Sequence, residues 1–138
     1  MQHIKLEEHI RTIPDYPIKG INFYDLNSLF ASKVFNIVIE QLAKQIANDS
    51  RFDLPTHIVG VESRGFVIGS VLAKEMSLPF VMIRKENSKY PGELYKEIYN
   101  LEYGSNTLVL QKGILGHTSR VIIADDLIAT GGSLLASK

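Results

Sequence analysis

No cysteine occurs anywhere in the chain, so neither a disulfide framework nor a thiolate metal site can form. Charge of one sign is not in excess either: 15 basic residues stand against 15 acidic ones, without a long like-charge run. That balance offers no basic field to a nucleic acid, and no nucleic-acid partner is expected. Long apolar runs are missing too. Nothing approaches the ~20 consecutive apolar residues that span a bilayer. The opening Met1-Gln2-His3-Ile4-Lys5-Leu6-Glu7-Glu8-His9 carries acids where a secretory signal has its apolar core. No membrane partner is therefore expected, and a cytoplasmic location is the default. Repeats and low-complexity linkers are absent from the 138 residues, a length that suits one domain with a real core. None of the four histidines falls in a metal-ligand motif, and no dedicated metal site is expected.

What is present alternates between strand and helix patterns. Ile4 to Thr12 reads as a short helix stopped by Pro14 and Pro17. Ser32 is placed to cap a helix from Lys33 to Asn48, along which Val34, Val38, Leu42 and Ile46 recur, with Phe35 and Ile39 beside them. His57-Ile58-Val59-Gly60-Val61 reads as a strand, a helix follows from Gly65 to Met76, and Pro79 to Arg84 completes a βαβ unit. Thr107 to Gln111 and Arg120 to Asp125 supply further strands, with His57 taken as structural. The alternation predicts an α/β fold, a parallel sheet flanked by helices. Such sheets bind ligands beyond the carboxyl ends of their strands, where this chain concentrates its chemistry.

The run Val121-Ile122-Ile123-Ala124 ends on Asp125 and Asp126, and then breaks into Leu127-Ile128-Ala129-Thr130-Gly131-Gly132-Ser133. Glycines and helix-start N–H groups favour a phosphate. Carboxylates would repel one, yet they suit hydroxyls or a divalent cation, so a sugar phosphate satisfies both halves. Glu62-Ser63-Arg64-Gly65 directly follows the strand ending at Val61, and a planar guanidinium fork suits a diphosphate. Arg84 and Lys85 stand at another strand end, able to neutralise a multiply charged leaving group. Glu86 to Glu93, with Pro91-Gly92 and no apolar period, reads as a mobile loop that can keep an activated sugar from water.

The acid pair and its Thr-Gly-Gly loop resemble the phosphoribosyl-diphosphate (PRPP) signature of the type I phosphoribosyltransferase family. Three other segments are similar to the adenine-specific branch: Glu62-Ser63-Arg64-Gly65-Phe66, Leu101-Glu102-Tyr103-Gly104, and the stretch from Ile13-Pro14-Asp15-Tyr16-Pro17 to Phe23-Tyr24-Asp25. The resemblance runs from about Ile10 to the end of the chain. It implies that Asp125 and Asp126 hold the ribose hydroxyls, and that Ala129, Thr130, Gly131, Gly132 and Ser133 hold the 5′-phosphate. It assigns pyrophosphate to Glu62, Ser63, Arg64, Gly65, Arg84 and Lys85, in a loop that often carries a cis peptide in the family. Lys89 matches a basic position of the family's lid. Glu102 matches a carboxyl proposed in that branch to exchange a proton with the purine, so Glu102, Arg64 and Lys89 form the implied catalytic set. Phe23 would stack on the base within an N-terminal hood, with Leu127 on the other face and Asn22 beside them.

The implied reaction is purine salvage, adenine plus PRPP giving AMP plus pyrophosphate, with Mg²⁺ carried by PRPP instead of by a protein cage. A homodimer is the family's habit. The chain departs from the family at Tyr24, where an Arg is usual, and at Asn22, where an aliphatic residue is usual, which leaves another purine open as the base. Family members also continue past the Thr-Gly-Gly loop with a long helix and a further strand. Residues 1–138 are therefore expected to form a single phosphoribosyltransferase-like domain that is C-terminally short, without that helix and strand. A PRPP-binding regulatory module and an inactive truncated paralogue remain open alternatives.

Overall fold

The computed structural model describes residues 5–86, 89–101 and 104–125. Its contacts group into two compact units, Met1–Gln41 and Leu42–Lys138.

In the first unit a 3-10 turn, Leu6–His9, leads into β1 (Arg11–Ile13), which pairs antiparallel with β2 (Phe23–Asp25) in the register Arg11↔Asp25 and Ile13↔Phe23. The helix expected from Ile4 to Thr12 is thus confined to one turn. Tertiary partners outweigh local propensity. The Arg11 N–H donates to Ser28 Oγ at 2.8 Å, and the Arg11 guanidinium pairs with the buried Asp25. The loop of residues 14–22 joins β1 and β2: Asp15 adopts φ +55°, Gly20 φ +91°, and the Gly20 N–H donates to Asp15 Oδ1 at 2.8 Å. A positive φ costs glycine little and other residues more, so Gly20 is suited to its place. The short α1 (Asn27–Phe30) follows. α2 (Val34–Ala47) then begins where the Ser32 hydroxyl accepts the Val34 N–H at 3.1 Å, the expected cap. Its buried residues are Phe35 and Ile39.

The second unit is built on a five-stranded sheet in the order β5-β6-β4-β3-β7. β3 (His57–Val61) lies parallel to β4 (Phe80–Lys85) on one side and to β7 (Val121–Ala124) on the other. These are the strands that the alternating pattern predicts. The sheet as a whole is mixed, because a hairpin of β5 (Leu94–Leu101) and β6 (Gly104–Gln111) joins β4 antiparallel through β6. Strand β3 is buried from Ile58 through Val61, as suits a central parallel strand. Val59, Val61, Val81, Ile83 and Leu108 form the core, with Leu110, Leu115 and Ile123 packed against it. Burial of each such side chain contributes about 1.5–3 kcal/mol.

α3 (Arg64–Met76) crosses from β3 to β4 and packs against β3, β4 and β7. It ends at Ser77, which takes a left-handed conformation (φ +56°), while the Leu78 N–H closes back on the Ala73 carbonyl at 2.9 Å. At its start, small residues allow backbone to meet backbone. A Cβ on Gly65 would stand 2.6 Å from the Ala124 carbonyl oxygen, and one on Gly60 would stand 2.6 Å from that of Gly65. The start of α3 is thereby pressed onto the carboxyl end of β7. Among the described residues, no helix is long and apolar enough to cross a membrane.

Candidate active site

Parallel pairing of β3 with β4, in the register Val61↔Ile83, delivers Glu62 beside Arg84 and Lys85. The Glu62 N–H donates to the Ile83 carbonyl at 2.9 Å, which fixes where the loop leaves the sheet. Glu62 Oε1 then accepts from Arg84 Nε and from the Lys85 backbone N–H, each at 3.3 Å. The peptide between Glu62 and Ser63 is cis, the form that the sequence alone leaves undecided. Ser63 and Arg64 turn directly into α3, and the Phe66 N–H donates to the Ser63 carbonyl at 3.0 Å.

The Gly65 contact brings a second predicted segment to the same place. A Cβ there would lie 3.5 Å from the Asp125 Cα, so the loop Glu62–Gly65 abuts the residue at which β7 delivers its first carboxylate. Asp125 is half-buried. Five of the expected residues (Glu62, Arg64, Arg84, Lys85 and Asp125) therefore come to the carboxyl ends of three adjacent parallel strands. The arrangement sets a cation-rich rim on one side of Gly65 and an acid on the other. It can hold a polyanion and bind hydroxyls or a hydrated divalent cation at once.

Beyond β4, Lys89 is exposed and adopts φ +53°. The next residue, Tyr90, turns back over the strand. Its hydroxyl donates to the Met82 carbonyl at 3.2 Å, and the Arg84 guanidinium carbon lies 5.4 Å from its ring centroid. Burial pushes the Tyr90 hydroxyl above its ordinary pKa, opposed by the charge of Arg84. Pro91 and Glu93 are tethered as well: the Pro91 carbonyl accepts from Gln111 Nε2 at 3.1 Å, and that of Glu93 from the Lys112 N–H at 2.9 Å. At the head of the segment, Glu86 pairs with Lys96 at 2.8 Å, and that hydrogen bond holds the Glu86 carboxyl below its ordinary pKa. Tyr90 is absent from the sequence-derived set. The available signal was an aromatic residue inside a polar stretch, beside Pro91-Gly92.

Asn22 and Phe23 belong to the first unit. Asn22 is exposed, and Phe23 is half-buried with Tyr16 set edge-on at 5.1 Å. The adjoining Asp25 accepts from Arg11 and, at 3.1 Å, from the Asn27 N–H. The Arg11 hydrogen bond is the main cause that holds its carboxyl below the ordinary value. Glu102, Asp126, Leu127, Ala129, Thr130, Gly131, Gly132 and Ser133 lie outside the described residues. A cavity of about 690 Å³ lies at the opposite end of the sheet, before β3 and β7, lined by Ile46, Phe52, Pro55, Arg120 and Val121 among others. Its place at the amino-terminal strand ends sets it apart from the chemistry described above.

A charged loop that opens a helix and abuts an acid-bearing strand end is the arrangement expected from the sequence for an activated sugar phosphate. Residues 25–138 match the family model of the phosphoribosyl transferase domain. The chain is 42% identical over 135 residues to the adenine phosphoribosyltransferase of Rhodospirillum rubrum, covering 97% of this chain and 76% of that one. It is 44% identical over 134 residues to the adenine phosphoribosyltransferase of Brachyspira hyodysenteriae, covering 96% and 76%. Among solved structures, it superposes with a TM-score of 0.88 and 37% identity on adenine phosphoribosyltransferase from Saccharomyces cerevisiae complexed with an imino-altritol bisphosphate and adenine, covering 96% of this chain and 75% of that one. The enzyme from Trypanosoma brucei, in complex with AMP, pyrophosphate and ribose-5-phosphate, matches with a TM-score of 0.82 and 30% identity, covering 95% and 57%. The chain belongs to the phosphoribosyltransferase family, in its adenine phosphoribosyltransferase branch.

Proposed function

We propose that this chain transfers the 5-phosphoribosyl group of PRPP to adenine, giving AMP and pyrophosphate, as a purine-salvage enzyme. The bond from ribose C1 to the diphosphate breaks while a purine nitrogen bonds to that carbon. The ring proton is lost from the purine. Ribose C1 becomes oxocarbenium-like on the way, so charge neutralisation, positioning and water exclusion are what the protein must supply. The observation that carries the reading is the approach of Gly65 to Ala124, which places the loop Glu62–Gly65 against Asp125.

In this reading Arg64, Arg84 and Lys85 receive the diphosphate together with the loop residues Glu62, Ser63 and Gly65. Asp125 and Asp126 hold the ribose hydroxyls, and Ala129 to Ser133 hold the 5′-phosphate. Lys89 contributes charge from the segment over the site, and Glu102 exchanges the purine proton. Asn22, Phe23 and Leu127 are assigned to the base. Mg²⁺ would be carried in by PRPP and held mainly by substrate oxygens, with the hard carboxylate oxygens of Asp125 suited to the ion or its waters. A homodimer in the cytoplasm is the expected working form.

AMP formation from adenine, PRPP and Mg²⁺ tests the reading, with hypoxanthine, guanine and xanthine run beside it. Turnover with adenine is expected. Turnover with another purine alone would reassign the base and point to Asn22 and Tyr24. A folded chain that binds PRPP and turns over no purine would sink the enzyme reading.

A further inference from the structure

We propose that Tyr90 is a positioning residue for Arg84, holding its guanidinium at the carboxyl end of β4 so that it meets the diphosphate. The inference rests on the reading above, in which Arg84 is a diphosphate ligand. Glu62 alone is a poor clamp. Its contact with Arg84 is a single hydrogen bond of 3.3 Å through Nε, and 30% of the Arg84 side chain is exposed. A diphosphate oxygen would also compete with Glu62 for the same donors. The Tyr90 ring offers no such competition, because it attracts the guanidinium through its face and leaves the N–H edge to the anion.

The ring itself is fastened. Its hydroxyl donates to the Met82 carbonyl, on the same strand and two residues before Arg84. On the chain side, Lys89 holds φ +53°, which a non-glycine residue keeps only where its surroundings fix it. The contacts of Tyr90, and the tether from the Pro91 carbonyl to Gln111, supply that fixing. The Arg84–Tyr90 contact is thus the point at which the segment after β4 grips a residue of the diphosphate site.

Calorimetric titration of the full chain with Mg²⁺-diphosphate separates the possibilities, alongside PRPP kinetics. Tyr90→Leu is expected to weaken diphosphate binding and raise the PRPP KM by about 3–5-fold, with the adenine KM unchanged. Tyr90→Phe keeps the ring and should stay within about twofold. Arg84→Met should weaken binding further, and adding Tyr90→Leu to it should change nothing more. Three results would overturn the inference. Tyr90→Leu could bind diphosphate like the parent although Arg84→Met does not, which removes the role from Tyr90 alone. Tyr90→Phe could lose as much as Tyr90→Leu, which moves the effect from the ring face to the hydroxyl tether on Met82. Arg84→Met itself could bind normally, in which case the assignment of Arg84 fails and takes the inference with it. Thermal melts of each folded variant exclude simple unfolding.

Discussion

The two ends of the parallel strands carry the same kinds of side chain in different geometry. Before β3, Arg51 forks onto Asp49, two residues away, with bonds of 2.9 and 2.7 Å, and lies 5.4 Å from the Phe52 ring. Beyond β4, Arg84 reaches Glu62, 22 residues away, through one bond of 3.3 Å, and lies 5.4 Å from the Tyr90 ring. The first pair is local and bidentate, with 78% of the Arg51 side chain exposed, a setting in which ion pairs contribute little. The second joins two strand ends and is only 30% exposed at the arginine. In the proposed reading, its looser geometry is exchanged for diphosphate oxygens. An arginine paired with a carboxylate beside an aromatic ring is therefore no mark of a site by itself. Convergence of two strand ends from distant parts of the chain sets the second pair apart.

The contrast should break most severely at Gly65. Gly65→Val puts a Cβ 2.6 Å from the Ala124 carbonyl, a backbone atom that cannot swing aside. α3 must move away from β7, which costs about 1–3 kcal/mol of stability by overpacking. Separating the loop Glu62–Gly65 from Asp125 by even ~1 Å should lower kcat/KM for PRPP about 100-fold. A melting curve and PRPP kinetics on the same preparation check both. Normal kinetics in this variant would show that the fused loop and strand end are not the working site.

Exchanging the two arginines sharpens the comparison. Arg84→Met should reduce kcat/KM for PRPP about 10–100-fold, the range of a charge-assisted hydrogen bond to a phosphate. Arg51→Met, with the same loss of charge, should stay within about twofold. Equal losses would mean that net charge, and not position, governs PRPP capture. In the first unit, Phe23→Ala should raise the adenine KM about tenfold through lost stacking, with the PRPP KM unchanged.

These contrasts were legible in the sequence to different depths. The residues His57 to Val61 announce a buried parallel strand, and a charged loop directly after such a strand can only emerge at its carboxyl end. The placement of Glu62, Arg64, Arg84, Lys85 and Asp125 at strand ends was therefore recoverable from residue type and place in the chain. The strand β5 was not. Tyr95 and Ile98 on it are 59% and 67% exposed, so it is held by pairing with β6, and burial leaves no pattern to read. The helix pattern at the start of the chain gives way to a single turn, Leu6–His9, because Ser28 and Asp25, far along the chain, capture Arg11. The Gly65 contact and the Tyr90 ring were hidden for the same reason. Both depend on which backbone or side chain arrives from elsewhere, and no local period encodes that.

The smallest effect belongs to Asp49. Its carboxyl is drawn from 3.8 to about 2, first by the Arg51 side-chain hydrogen bond and then by the Arg51 N–H. Because the folded value lies below the ordinary one, the resulting stabilisation is complete above pH 3.8 and drains away as the pH falls through about 2. Asp49→Asn should therefore be slightly less stable than the parent at about pH 6, and the two should converge in strong acid. Urea unfolding at both pH values reads the difference, and added salt should narrow it at the higher pH, since the pair is exposed. PRPP kinetics of the same variant at neutral pH should be unaltered. A loss of kcat/KM there would draw the amino-terminal strand ends into the working site and abolish the contrast between the two ends of the sheet.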